Sequence, residues 1–325
     1  MTKKPDKCVF IDGEAGTTGL EIRNRLKNIP DLKILSLAPD KRKDLAARLE
    51  IMQQADLVIL CLPDEAAKEA VQLADRLEKK DLRILDASTA HRVSKDWVYG
   101  FAEMDPKQSQ SIQKSFRVSN PGCYPTGVIA LLRPLVNAGI LPQDYPITIN
   151  AISGYSGGGK SMIETYEPIR KAPNFELYAL GLNHKHLPEI MTYTGLKRRP
   201  IFVPSVGNFR QGMLVSIPLH LDTLPSKPKL ADIQENLATT YKTYPSVRVL
   251  PLQKEEIQRI EPEHLNHSDD LELFVCGCAN HPHAVLVARL DNLGKGAAGS
   301  AVQNITLMLG LHAGSSSYTP TKDGE

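Results

Sequence analysis

A chain that runs from a short apolar strand, through three evenly spaced glycines, into an amphipathic helix has few folds open to it. Residues 8–11 (CVFI) read as the strand, and Gly13, Gly16 and Gly19 follow in G-x-x-G-x-x-G spacing. Ile22, Leu26 and Ile29 then recur at intervals that line one helix face. Further apolar runs at 33–37, 56–62 and 82–87 alternate with a helical stripe of Ala66, Ala70, Leu73, Ala74 and Leu77. Strand and helix alternating at this spacing predict a parallel sheet with right-handed crossovers. The run 56–62 (DLVILCL) is apolar almost throughout, as a strand buried on both faces must be. The expectation is an α/β fold of Rossmann type at the N-terminus.

Glycines let the backbone turn tightly and let a phosphate approach the amides at a helix start. The spacing differs by one residue from the usual dinucleotide fingerprint, but its setting between strand and helix, with further βα units behind it, is the one that fingerprint requires. Gly13, Gly16, Thr17, Thr18 and Gly19 are therefore candidate cofactor ligands, against the plainer reading of a tight βα turn. The end of the second strand separates NAD from NADP, since NAD binders place an acid there for the ribose. Here Ser36 is followed by Asp40 and the cationic run Lys41, Arg42 and Lys43. Ser36 and Arg42 suit a 2′-phosphate and predict NADP. Asp40 is the rival ribose ligand, and a solvated helix start is the rival reading of the whole run.

From about residue 120 the texture changes. A helix is expected over 126–138, stopped by Gly139, and another over 230–242. Strands are expected at 147–153, 213–221, 248–252, 273–279 and 284–291, in a mostly antiparallel second sheet. A last helix is expected over 297–311, with a polar, frayed tail after it. The 325 residues have room for two domains. Lys plus Arg (39) nearly balances Asp plus Glu (37), which argues against a broad cationic surface for nucleic acid. No window approaches the ~18 apolar residues of a membrane span. The first residues lack the apolar core of a signal peptide. Five scattered cysteines do not make a disulfide framework, so the expected home is a reducing cytoplasm.

The segment SNPGCYPTG (119–127) sets Cys123 in a turn directly before a helix. A thiolate at a helix N-terminus is stabilised by the dipole and the free amides. Pro125 suits the first helical turn. The other cysteines lie in apolar runs and read as core. A nucleophilic cysteine needs a proton acceptor and donor near pH 7, and GLNHKHLPEI (181–190) carries His184, His186 and Glu189. Spacing does not say which histidine faces Cys123. Two further patterns compete. GYSGGGKS (154–161) matches a P-loop literally, but the strands that would serve it belong to the unit already assigned to the glycine loop. Cys276-Gly-Cys278 with the nearby histidines resembles a metal cluster, but no second pair completes a tetrahedral set, and no metal is expected.

These residues, taken in order, resemble a known family. The stretches 13–19, 86–92 (DASTAHR), 99–103, 119–126, 153–160, 184–189 and 292–304 (NLGKGAAGSAVQN) are similar to those of the N-acetyl-γ-glutamyl-phosphate reductases, in the shorter of their two length types. The wider relatives are the aspartate-semialdehyde dehydrogenases. His91 departs from the pattern, which more often has Phe before the arginine. The resemblance implies an NADP-binding domain over 1–121, completed by a closing helix at 294–312. It implies an α+β catalytic and dimerising domain over 122–293, with a large mixed or antiparallel sheet, and a homodimer or homotetramer. The implied reaction is NADPH-dependent reduction of N-acetylglutamyl 5-phosphate to the 5-semialdehyde, in arginine biosynthesis. Cys123 would form the thioester. His186 would supply the proton when the thiohemiacetal collapses, with His184 beside it. Arg92 would grip the anionic small-molecule substrate, or else form a surface salt bridge. Gly157, Lys160 and Glu189 would line the substrate site, and Asn120 would hold the phosphate or oxyanion. The rivals are a sister enzyme acting on another acyl phosphate, a cysteine hydrolase, which would need no glycine loop, and an NADP-sensing protein, which would need no nucleophile.

Overall fold

The computed structural model describes residues 6–167, 172–253 and 257–311. The polar tail at 315–325 and residue 312 of the expected closing segment lie outside them. The first elements in chain order are β1 (Lys7–Asp12), α1 (Thr17–Leu26), β2 (Leu32–Leu35), α2 (Leu45–Gln54), β3 (Leu57–Leu60), α3 (Asp64–Ala74) and β4 (Arg83–Asp86). Then come β5 (Val98–Tyr99), α4 (Gln108–Lys114), β6 (Arg117–Ser119), α5 (Cys123–Asn137), β7 (Thr148–Gly154), α6 (Gly159–Tyr166), β8 (Phe175–Leu177) and α7 (Leu187–Thr194). The chain continues through β9 (Ile201–Gly207), β10 (Met213–His220), α8 (Leu230–Tyr241), β11 (Val247–Val249), β12 (Leu271–Cys276), β13 (His283–Leu290) and α9 (Gly299–Leu309). The described residues form two compact units, one of residues up to 121 together with 297–311, the other within 122–296.

The first unit carries a parallel six-stranded sheet in the order β2-β1-β3-β4-β6-β5. Because side chains alternate along a strand, β3 feeds two cores. Leu57 and Ile59 pack with Val9, Ile11, Ile22 and the α9 residues Ala301, Ile305 and Met308. Val58 and Leu60 pack with Phe10, Met52, Ala67 and Ala70. The apolar run at 56–62 is thus buried on both sides, and α9 supplies part of one side.

The second unit carries a seven-stranded mixed sheet in the order β11-β12-β13-β10-β7-β9-β8. The pairs β7–β9 and β11–β12 are parallel, and the other pairs are antiparallel. Gly127 of α5 lies against Val215 and Ala288, where a Cβ would come within 3.2 Å of either side chain. Those positions face the helical layer, so Leu214, Ser216 and Val287 face the other side. There they line a cleft of about 530 Å³ with Asn150, Ile152 and Leu177.

Several elements differ from expectation for local reasons. β9 was not expected because Pro204 interrupts an otherwise apolar run, and proline cannot donate to a ladder. β5 and β6 are too short to show periodicity. The expected strand at 248–252 is observed only over Val247–Val249, with Pro251 just beyond. Helix α5 begins at Cys123 rather than at 126, and Gly139 ends that region with φ +70°. A single turn of π-helix at Gly294–Ala298 leads into α9. Among the described residues no helix is long and apolar enough to cross a membrane.

Candidate active site

In the first unit, the chain leaves β1 through Gly13 at φ +90°, a left-handed conformation that glycine adopts without strain. A Cβ there would stand 2.2 Å from the Cys61 carbonyl oxygen, and one at Gly19 would stand 2.6 Å from the Gly13 oxygen. The loop is therefore pressed between β3 and the first turn of α1. Gly16 is the N-cap, and no side chain caps the helix. The first amides of any helix lack intrahelical partners, so the turn holding Thr17 and Thr18 presents donors with the positive end of the dipole, as a phosphate site requires.

Ser36 and Arg42 meet here, together with Glu14 and Arg23, which sequence reasoning did not single out. The buried Glu14 carboxylate accepts from Arg42 at 3.0 Å, from Ser36 Oγ at 3.0 Å and from Arg23. The signal available in the sequence was an acid inside a glycine-rich loop. Asp40 does not join the cluster and lies exposed in a turn at Pro39–Lys41. Lys41 instead approaches Asp44 at 3.6 Å, and Asp44 caps α2 through the Ala47 amide. Asp12, at the end of β1, pairs with Arg48 at 2.6 Å. Its burial pushes the carboxyl pKa up, and Arg48 offsets only part of that.

At the end of β4, the wholly buried Asp86 accepts from the Ser88 amide and hydroxyl at 2.8 Å each and pairs with His91 Nδ1 at 2.6 Å. His91 stacks on Trp97 with centroids 4.2 Å apart. The histidine thus keeps the flat packing expected of an aromatic ring and adds a hydrogen bond. Arg92 is buried, and donates to the carbonyls of Asn120 at 3.0 Å and Ala87 at 3.4 Å. Its burial corrects the surface placement of that reading and turns this face of the guanidinium inward. Asn120 also departs from expectation. Its Nδ2 donates to the Ala297 carbonyl and its Oδ1 accepts from Asn304 Nδ2, both at 3.0 Å. The side chain ties the end of β6 to α9.

In the second unit, α5 opens at Cys123 behind the N-cap Gly122 (φ −75°, ψ 153°), with no side-chain cap. Gly296 packs against this start so closely that a Cβ on it would lie 2.9 Å from Cys123 Cβ. The Gly122 amide donates to Glu189 Oε2 at 3.1 Å, and Glu189 Oε1 stands 4.0 Å from His186 Nε2. One buried carboxylate therefore faces both the residue before Cys123 and the imidazole of His186. Glu189, expected at the substrate site, is tied to these two groups. His186 is the N-cap of α7, with Glu189 in the first turn, where the dipole favours a carboxylate.

His184 Nδ1 accepts the His186 amide at 3.1 Å, which places the ring proton on Nε2. Burial, then the charge of Lys185, lowers its pKa to about 4. The ring is therefore neutral at pH 7. Tyr124 packs edge-on against both histidines, with centroids 5.9 Å away in each case. Tyr178 donates to Tyr124 Oη at 3.2 Å, and Tyr124 donates to the Ser205 carbonyl at 3.1 Å. Burial raises both phenols, Tyr178 to about 12, and the nearby Cys123 adds to the rise in each. Lys295, from the glycine-rich 292–299 stretch, is also buried and was not singled out in the sequence.

The start of the 154–161 segment is tied to the chain ahead of β10. The amides of Gly154, Tyr155 and Ser156 donate to the carbonyls of Gly212, Phe209 and Arg210 at 2.9–3.0 Å. Asn292 braces the same turn by donating to Ser156 Oγ at 2.9 Å and accepting from the Gly212 amide at 2.8 Å. The first three amides of the segment are thus taken, and the turn is held by the 209–212 stretch and Asn292. Gly157 is exposed, in a short 3-10 turn. Lys160, expected to add charge to the substrate site, is 74% exposed and lies 3.7 Å from Glu164 on its own helix. Among the described residues no group of three or more His, Cys, Asp or Glu could hold a metal. Of the cysteines expected in the core, Cys61 packs against the core of the first unit, while Cys8, Cys276 and Cys278 are partly exposed, and all four are free. Cys276 lines the cleft on the outer face of the second sheet.

This pairing of a dinucleotide-type sheet with a cysteine pocket on a mixed sheet is the plan of the semialdehyde dehydrogenases. The family model for the semialdehyde dehydrogenase NAD binding domain matches residues 9–112, and that for the semialdehyde dehydrogenase dimerisation domain matches residues 123–292. The aspartate semialdehyde dehydrogenase II of Vibrio cholerae superposes with a TM-score of 0.68 at 13% identity, covering 94% of this chain and 99% of that one. The Candida albicans aspartate semialdehyde dehydrogenase solved with NADP gives 0.61 at 15% identity, covering 94% and 98%. Two N-acetyl-γ-glutamyl-phosphate reductases are far more similar in sequence. That of Chelativorans sp. (strain BNC1) is 52% identical over 93% of this chain and 97% of its own length. That of Brucella ovis is 50% identical over 93% and 98%. The chain belongs to the N-acetyl-γ-glutamyl-phosphate reductase family.

Proposed function

We propose that this chain catalyses the NADPH-dependent reduction of N-acetyl-L-glutamyl 5-phosphate to N-acetyl-L-glutamate 5-semialdehyde and phosphate, a step of arginine biosynthesis. The observation that carries this reading is Cys123 at the uncapped start of α5, with Glu189 bridging its Gly122 amide to His186. A helix N-terminus favours the thiolate. Cys123 Sγ attacks the acyl carbon, the C–O bond to phosphate breaks, and a thioester forms. His186 takes the thiol proton before attack and passes it to the departing phosphate oxygen. NADPH, when bound, supplies the hydride that reduces the thioester carbonyl. The C–S bond then breaks as the aldehyde carbonyl forms, returning Cys123 as thiolate beside His186. His184, neutral and bonded to the His186 backbone, positions that residue rather than moving the proton.

The first unit fits the cofactor. Its uncapped helix start behind Gly13 suits the pyrophosphate, and Ser36 and Arg42 suit a 2′-phosphate. Arg92 is read as a brace for the chain between residues 87 and 120. The second unit is the catalytic and dimerising one, and a homodimer or homotetramer is the assembly expected. Exposed Phe175, Leu177 and Val285 around the outer face of its sheet support that. Five free cysteines suit a reducing cytoplasm.

The test follows absorbance at 340 nm in the reverse direction, with semialdehyde, phosphate and NADP. N-acetylglutamate semialdehyde and aspartate semialdehyde are compared side by side. The expected result is turnover with the acetylated substrate and at least about a hundredfold less kcat/KM with aspartate semialdehyde. Cys123→Ser should lose at least about a thousandfold in kcat while NADPH still binds. Faster use of aspartate semialdehyde would reassign the substrate, and an active Cys123→Ser would remove the covalent mechanism.

A further inference from the structure

The groups suited to a 2′-phosphate already surround an anion, and that anion belongs to the chain. Glu14 Oε1 accepts from Arg42 Nη2 at 3.0 Å, while Oε2 accepts from Ser36 Oγ at 3.0 Å and from Arg23 Nη1. Arg23 also donates to Ser36 Oγ at 2.7 Å, so the two donors are locked to each other as well as to the carboxylate. The carboxylate is 10% exposed, whereas the Arg23 and Arg42 side chains are 33% and 41% exposed. The acid sits inside, and the cations form its outer wall.

Two guanidinium groups and a hydroxyl converging on two oxygens make a donor set that serves carboxylate and phosphate alike. Dinucleotide folds that read a ribose hydroxyl place their acid at the end of the second strand. Here Ser36 follows β2, and the acid comes from the glycine loop between β1 and α1. The acid and the arginines are thus carried on separate segments: Glu14 on the loop, Arg23 on α1 and Arg42 beyond β2.

We propose that Glu14 is an internal competitor for the 2′-phosphate site, and that it sets how strongly the protein prefers NADP over NAD. The inference rests on the NADP reading above and deepens it. A 2′-phosphate has to displace the carboxylate from Arg23, Arg42 and Ser36, and it then lies near a like charge. A cofactor with a free 2′-hydroxyl brings no charge to compete with the carboxylate and leaves the cluster as it is. Glu14 therefore weakens NADP binding and spares NAD.

Calorimetric titration of the full chain with 2′,5′-ADP and with 5′-AMP tests this without catalysis. Glu14→Gln keeps the shape and removes the charge. It should tighten 2′,5′-ADP by about tenfold or more at low salt and leave 5′-AMP within about twofold. The gain should shrink as salt rises. Glu14→Ala provides a second variant should the glutamine hold the arginines by its amide oxygen, and the same gain is expected. Unchanged or weaker 2′,5′-ADP binding in both variants would overturn the proposal, since Glu14 would then organise the arginines instead of competing for them. A wild-type protein that does not prefer 2′,5′-ADP to 5′-AMP would overturn the NADP reading at this site. In that case Glu14→Gln acquiring the preference sustains the competition, and its failure to do so ends it.

Discussion

The glycine loop of the first unit and the cysteine pocket of the second hold their shapes by different means. Around the loop the contacts are ionic and partly wet: Glu14 with Arg23 and Arg42, Asp12 with Arg48. Around Cys123 they are mostly neutral and dry: His184 on the His186 amide, Tyr178 on Tyr124, Tyr124 on a carbonyl. One buried carboxylate, Glu189, faces both the helix start and a histidine. The contrast fits the two tasks. A site that accepts and releases a polyanion benefits from exchangeable, exposed cations, which salt can screen. A site that holds a thiolate and moves one proton benefits from fixed dipoles in a low-dielectric wall.

The largest way to break this comparison is at the backbone of the loop. Gly13→Ala puts a Cβ against the Cys61 carbonyl at a residue with φ +90°. It should cost about 2–4 kcal/mol in stability and abolish NADPH binding measured by fluorescence. The rate at which iodoacetamide alkylates Cys123 should stay within about twofold. Loss of thiol reactivity together with binding would mean that the two regions are not independent.

A smaller effect sharpens the neutral side. Burial lowers the His184 pKa to about 4, against the 6.5 of an unperturbed ring. Between those values the unfolded chain binds a proton that the folded chain refuses. The stabilising contribution is therefore complete above pH 6.5 and is lost as pH falls towards 4. The ring is partly exposed, so screening reduces the loss to roughly 1–2 kcal/mol. Urea unfolding at pH 7 and pH 4.5 measures it, and His184→Gln should flatten the slope by that amount. An unchanged slope would place the ring in solvent.

The smallest effect is expected at Lys160, which is 74% exposed and paired only at 3.7 Å within its helix. Lys160→Ala should change stability by less than about 0.5 kcal/mol and substrate KM by less than about threefold. A large rise in KM would return the lysine to the substrate site.

Legibility differed by the range over which each feature is decided. β1, the glycine loop, α1 and β3 could be read directly, because a strand buried on both faces and a glycine turn leave local patterns of apolar and small residues. Cys123 was legible for the same reason, since a Gly-Cys-Tyr-Pro sequence marks a helix start through its own backbone preferences. β9 was hidden by Pro204, and β5 and β6 by their length. The match of 154–161 to a P-loop is a pattern only, since a glycine run followed by Lys-Ser carries phosphate chemistry only if its amides stay open. Here the first three, of Gly154, Tyr155 and Ser156, are satisfied by carbonyls of residues 209–212, more than 50 positions along the chain.

The sequence by itself determined much of the backbone: the long apolar runs that form strands, where the chain must turn through glycine, and which cysteine begins a helix. These follow from steric and solvation preferences acting over a few neighbouring residues. Only the tertiary structure decided the electrostatic partners. Glu14 reaches Arg42 across 28 positions, Glu189 reaches the Gly122 amide across 67, and Asn304 reaches Asn120 across 184. A carboxylate can bind substrate, cap a helix or neutralise an arginine with the same side chain. Its role is set by the groups that packing brings within about 3 Å, since hydrogen-bond energy falls steeply beyond that distance.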